Sequence, residues 1–194
     1  MGTPKALLCD GDGVPRTLVA ARALLDAGCQ QAFVVLGAAA TDAGRLLAEH
    51  ATADDAVVTV VAPEWAEGMG RSLRTGLEEL SRLPGPAGVL VTLVDLPDVG
   101  ASVYRRVAEE WRAAGASPDA LLRATYAGRP GHPVLLGRDH WQPLVAELNG
   151  DTGAQPYLAR HTVREVSCDD LATGRDTDRP EDLAATHVPE QEPG

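Results

Sequence analysis

The run Val89-Leu90-Val91-Thr92-Leu93-Val94-Asp95-Leu96-Pro97-Asp98 constrains the fold more than any other stretch. It follows a turn, Pro84-Gly85-Pro86-Ala87-Gly88, and opens with six aliphatic or β-branched residues in a row. A strand that is apolar at successive positions has both faces covered, which predicts a parallel sheet with helices above and below. Pro97 stops the ladder, and Asp95 stands at the carboxyl end of the strand. Ligands of open α/β sheets bind in the crevice beyond those ends, so Asp95 is a candidate site carboxylate. The plainer reading is an aspartate that only ends a strand, since Asp is a common turn former.

The rest of the chain alternates in the same manner. Asp10-Gly11-Asp12-Gly13 reads as a turn, and Pro15 suits a helix start. Leu18, Ala21, Leu24 and Leu25 recur at helical spacing up to Gly28. Residues 32–37 and 57–61 read as strands. Thr41 would cap a helix running to about His50, and Met69, Leu73, Leu77 and Leu80 mark another helix. Val103, Val107 and Trp111 mark the helix after the central run. This order predicts βαβ units with right-handed crossovers. Later the pattern changes: residues 120–125 and 133–136 read as two strands joined by a loop over 126–132, a hairpin-like addition. Helices near 141–148 and 153–160 and a short strand at 163–166 follow.

Length and charge narrow the function classes. The chain has 194 residues, enough for one domain with a sizeable core; we assign it to residues 1–185. Residues 186–194, rich in Pro and Glu, read as a loose tail. Acidic residues outnumber basic ones 28 to 17, a net charge of −11 that disfavours a nucleic-acid partner. Cys9, Cys29 and Cys168 form no C-x-x-C pair, so no disulfide framework or zinc site is indicated and reduced thiols are expected. No apolar run approaches ~20 residues and no signal segment opens the chain, so a soluble cytoplasmic protein without a membrane partner is expected.

Several blocks together resemble the MobA-like nucleotidyltransferases of the molybdenum cofactor, most of all the branch that joins CTP to molybdopterin. Residues 1–8, Met-Gly-Thr-Pro-Lys-Ala-Leu-Leu, look like the tail of that family's signature L-A-A-G-x-x-x-R-M-G-x-P-K. Trp65-Ala66-Glu67-Gly68-Met69-Gly70-Arg71-Ser72-Leu73 is similar to W-x-x-G-M-x-x-S-L. Leu93–Pro97 resembles the metal-binding strand end. Gly128–Val134 resembles G-x-P-G-H-P-V, Gly150–Ala154 resembles G-D-x-G-A, and Asp176–Asp182 resembles D-x-D-T-P-E-D. The resemblance implies a Rossmann-like three-layer α/β/α fold with a mostly parallel sheet. It also implies that a first strand and a glycine-rich phosphate loop are missing here. Met1 resembles the internal methionine of R-M-G-x-P-K, so we expect that the chain begins late. The sheet would then lack a middle strand beside residues 89–94 and carry unpaired edges inside the core.

Nucleotidyl transfer brings together an attacking phosphate and a pyrophosphate leaving group, both anionic. Mg²⁺ is therefore the expected cofactor; it takes few hard oxygen ligands and keeps water. Asp95 is the first candidate ligand, with Asp176 or Asp178 as the second. One residue apart in an extended segment, those two point to opposite sides, so one of them is expected to bind. A turn followed by a capped helix is the structural alternative for residues 176–182. Lys5, the one lysine of the chain, would hold nucleotide phosphates as a catalytic group; a solvated lysine is its alternative. Gly2 belongs to the same nucleotide-binding block by resemblance. Gly68 and Gly70 open a helix, whose free N–H groups would meet an anion or serve helix entry alone. Ser72 is placed near the nucleotide by resemblance only. His132 and Arg129 are assigned to the acceptor side, against a structural histidine and a surface arginine. The expected partners are CTP and molybdopterin, with transient contact to a molybdoenzyme or its chaperone. Rival readings are use of GTP, transfer to another acceptor such as a sugar phosphate, and a non-catalytic cofactor-binding protein.

Overall fold

The computed structural model describes residues 4–176. Its strands are β1 (Ala32–Leu36), β2 (Val57–Val61), β3 (Gly88–Val91), β4 (Leu121–Tyr126), β5 (Arg129–Gly137) and β6 (Arg164–Ser167). Its α-helices are α1 (Arg16–Asp26), α2 (Ala40–His50), α3 (Met69–Ser81), α4 (Ala101–Ala113), α5 (Trp141–Glu147) and α6 (Gln155–Leu158). The arrangement is Rossmann-like α/β/α. α1, α2 and α4 cover one face, where Leu18, Leu47, Val103, Tyr104 and Val107 are buried. α3, α5 and α6 cover the other, around Leu77, Trp141, Leu144 and Tyr157. The longer covering helices bury residues at three- and four-residue spacing, as in Val103, Tyr104, Val107 and Ala108 of α4.

The strands fall into two sheets. β1 pairs in parallel with β2, and a second sheet has the order β3-β5-β4-β6. In that second sheet β4–β6 is parallel while β3–β5 and β4–β5 are antiparallel. The sheet is thus more mixed than the expected, mostly parallel one. The reason is the hairpin of β4 and β5, which inserts an antiparallel strand beside β3. Its turn is only Ala127-Gly128, both at positive φ (50° and 71°), the geometry of a tight two-residue hairpin turn. The expected loop over 126–132 is therefore mostly strand, and Arg129 and His132 lie on β5.

Between the two sheets lies a cavity of about 760 Å³. All of β1 lines one wall and Gly88–Val91 of β3 the other. Leu73, Gly76, Leu77 and Leu80 of α3 close one face; Ala20, Ala21 and Leu24 of α1 with Ala108 and Trp111 of α4 close the other. Among the described residues, no strand pairs with β1 on the side away from β2, or with β3 on the side away from β5. The expected gap in the sheet is present, beside the strand where it was expected. It also explains why the central run departs from its pattern. β3 stops at Val91, short of Val94, and all its residues are half-buried where full burial was expected. A strand with an open neighbour position loses cover along that edge.

Candidate active site

Because β3 ends at Val91, Asp95 sits four residues beyond it, in a turn. It is held there by Lys5, whose Nζ lies 2.6 Å from Asp95 Oδ2. The lysine is half exposed and the carboxylate largely covered. An ion pair with one exposed partner is a weak tie, about 0–1 kcal/mol, so the pairing can be exchanged for another. The second oxygen, Oδ1 of Asp95, is buried and has no hydrogen-bond partner among the described residues. A buried carboxylate oxygen without a partner carries a full desolvation cost. It is the chemistry that a hard cation satisfies, so Asp95 fits a divalent metal. Among the described residues, no group of three or more His, Cys, Asp or Glu side chains is arranged to hold an ion.

His132 belongs to the same locus. Its imidazole is pushed below its ordinary pKa by burial, with the charge of Asp95 acting in the other direction. Tyr126 holds the backbone here by donating its hydroxyl to the carbonyl of His132 at 2.7 Å, and Gly131 lies flat against the Tyr126 ring, where a Cβ would approach Cδ2 to 2.7 Å. His132 and Ser72 both line the end of the inter-sheet cavity, together with Thr92, Leu93 and Val94. Arg129 lies at the exposed hairpin end of β5 and makes no ion pair among the described residues. Arg123, by contrast, is bound to Glu165 at 2.6 Å.

The N–H groups of Gly68 and Gly70, at the start of α3, are both engaged within the chain. The N–H of Gly68 donates to Trp65 O at 3.1 Å and that of Gly70 to Gly150 O at 2.9 Å. Neither amide is left for an anion. Gly68 has φ +125°, and a Cβ there would stand 2.3 Å from the Gly150 carbonyl carbon. A Cβ on Gly70 would meet Thr152 O at 2.6 Å. These residues let the Gly150–Ala154 segment lie directly on the start of α3. Gly68 thus serves the packing of this segment on α3.

Asp98 was not among the expected site residues. Its Oδ2 accepts from the Thr173 N–H and hydroxyl, both at 2.6 Å, and its Oδ1 is buried without a partner among the described residues. Gly174, at φ +64°, packs on the Tyr126 ring, where a Cβ would come within 2.2 Å. These contacts fasten residues 173–176 beside the turn that carries Asp95. Asp176 is exposed at the end of this segment; Asp178 and Gly2 lie outside the described residues. The signal in the sequence was a second carboxylate three residues after Asp95, across Pro97.

The model of the MobA-like NTP transferase domain matches residues 1–166. The chain belongs to that family. Among solved structures it is similar to Rv0371c of Mycobacterium tuberculosis: 29% identity, 95% of this chain and 89% of that one covered, TM-score 0.70. A second structure of Rv0371c is a complex with manganese, with 29% identity, 94% and 90% coverage and TM-score 0.69. The Rv0371c homologue of Mycobacterium sp. strain JC1 shares 30% identity over 95% of this chain and 86% of its own, with TM-score 0.67. No curated protein matches the chain. No described helix is long and apolar enough to cross a membrane.

Proposed function

We propose that this nucleotidyltransferase transfers CMP from CTP to molybdopterin, with Mg²⁺ as cofactor and release of pyrophosphate. The observation that carries the reading is Asp95, whose one oxygen is held by Lys5 and whose other is buried and unpartnered. A cation on Asp95 would lower the repulsion between the attacking and leaving phosphates. An acceptor phosphate oxygen forms the bond to the α-phosphorus while the bond to the bridging oxygen breaks. Pyrophosphate leaves with that electron pair. In this scheme Asp95 would hold the cation, and the Lys5 ammonium, now paired with Asp95, would serve the nucleotide phosphates. His132, aimed into the end of the cavity, donates to the acceptor phosphate, and Arg129 at the hairpin end offsets its charge. Ser72 faces the nucleotide from α3. Asp176 or Asp178 would be the cation's second carboxylate. The preference for CTP and molybdopterin rests on the blocks at residues 3–5 and 131–133 described above, and on the manganese held by a 29% identical relative for the metal.

The test is pyrophosphate release by the purified protein with CTP, Mg²⁺ and molybdopterin. We expect release with CTP above that with GTP, and its loss in Asp95→Asn with unchanged circular dichroism. Molybdopterin binding without any binding or turnover of CTP would contradict the reading.

A further inference from the structure

We propose that Asp98 is a positioning residue for the transfer: by holding Thr173 it sets where the second cation carboxylate stands relative to Asp95. This role presupposes that Asp95 takes the cation, as read above; Asp98 acts through Thr173 and is not itself a cation ligand. The two aspartates belong to one turn. Asp95 and Asp98 flank Leu96-Pro97, and the Val99 N–H closes the turn on the Leu96 carbonyl at 3.2 Å. Val99 is buried, and Leu96 packs against the core around Val103 and Leu122. Whatever Asp98 holds is thereby kept at a fixed place beside Asp95. What it holds is the chain after β6. Up to Ala172 that chain is fastened elsewhere: Asp170 pairs with Arg106 of α4, Asp169 accepts the Ala127 N–H of the hairpin turn, and the Ala172 N–H donates to Cys168 O at 3.2 Å. Beyond Ala172, among the described residues, Thr173 carries the hydrogen bonds. Its N–H and hydroxyl both donate to Asp98 Oδ2 at 2.6 Å, and its hydroxyl oxygen accepts the Arg175 N–H at 3.4 Å. Asp176, exposed, follows directly.

Two carboxylates that meet at one site repel each other until a cation arrives. A segment free in solution also loses conformational entropy when it is ordered there. Fastening Thr173 beforehand reduces that loss, as pre-organisation does in binding generally. Tyr126 backs the clasp. Gly174 and Gly131 both lie against the Cδ2–Cε2 edge of its ring, where a Cβ would come within 2.2 Å and 2.7 Å of Cδ2. Gly131 precedes His132, and the tyrosine hydroxyl holds the His132 carbonyl. The chain that leads to Asp176 and the chain that carries His132 are thus spaced by one ring. Asp98 Oδ1 is buried without a partner among the described residues, so the hold on Thr173 rests on Oδ2 alone.

The experiment has one readout without metal and one with it. The first is amide hydrogen exchange at Thr173 in the free protein, which should quicken several-fold in Asp98→Ala as the segment comes loose. The second is Mn²⁺ affinity in the presence of CTP. It should weaken about tenfold in Asp98→Ala, the scale of loss for groups that orient metal ligands, and stay within about twofold of the wild type in Asp98→Asn, which keeps an oxygen for Thr173. Thr173→Val, which leaves only the N–H to donate, should fall between these, and Thr173→Ser should match the wild type. Unchanged exchange at Thr173 in Asp98→Ala would overturn the proposal. So would fast exchange with unchanged Mn²⁺ affinity, and the reading of Asp95 would then stand. Asp98→Asn as weak as Asp98→Ala would also overturn it, because the charge and not the hold on Thr173 would be acting. A wild type that binds no Mn²⁺ would overturn the reading of Asp95, and this role with it.

Discussion

β5 and β3 are neighbours in one sheet, yet they live in different surroundings. From Val134 to Gly137, β5 is buried, flanked by β3 and β4 and covered by Trp141 and Leu121. β3 has β5 on one side and the cavity on the other, and none of its residues is fully buried. The difference is not one of composition, since Leu90 faces Leu135 across the ladder and both are leucine. It comes from the number of paired edges. A void of about 760 Å³ runs along the unpaired edge of β3, and the turn that carries Asp95 follows that strand.

The largest expected effect tests that contrast at one pair. Leu135→Ala should cost about 2–5 kcal/mol in urea unfolding, the range for a leucine removed from a packed core. Leu90→Ala should cost less, because Leu90 is only half-buried where Leu135 is buried. Equal losses would erase the distinction. The next effect concerns the rim. Lys5→Met removes the competitor for Asp95, so Mn²⁺ should bind several-fold more tightly by calorimetry while turnover falls. Weaker Mn²⁺ binding would mean that Lys5 only supports the turn. The smallest concerns His132. Its folded pKa lies below the ordinary 6.5, so the unfolded chain takes up this proton first. Stability is then fully present above pH 6.5 and declines as pH falls from 6.5 towards the depressed value. His132→Gln should flatten that part of the pH–stability curve, leaving the carboxylate-dependent part at lower pH in place.

Periodicity was enough to find β1, β2, α3 and α4 nearly to the residue, because each buries one side against a partner nearby in sequence. It misplaced the end of the central strand. An apolar run through Val94 was read as strand, but ladder length depends on neighbours, and β3 has one. The loop at 126–132 failed for a related reason. Ala127-Gly128 makes a two-residue turn through a positive φ at an alanine, which no residue preference announces. Asp95 was singled out from its place after an apolar run, and its pairing with Lys5, 90 residues away, is a tertiary contact that the sequence analysis did not foresee. Asp98 escaped notice since its partner, Thr173, is a commonplace residue brought in by the tertiary fold. Gly68 was read for its amide, whereas its missing side chain is what the packing uses.

The central claim is that Asp95 is the carboxylate that takes the cation. Mn²⁺ binding in the presence of CTP, followed by electron paramagnetic resonance on the wild type and on Asp95→Asn, tests it most directly. The account predicts one bound ion in the wild type and at least tenfold weaker binding in the variant, with the fold preserved. Equal affinity in the two proteins would contradict it.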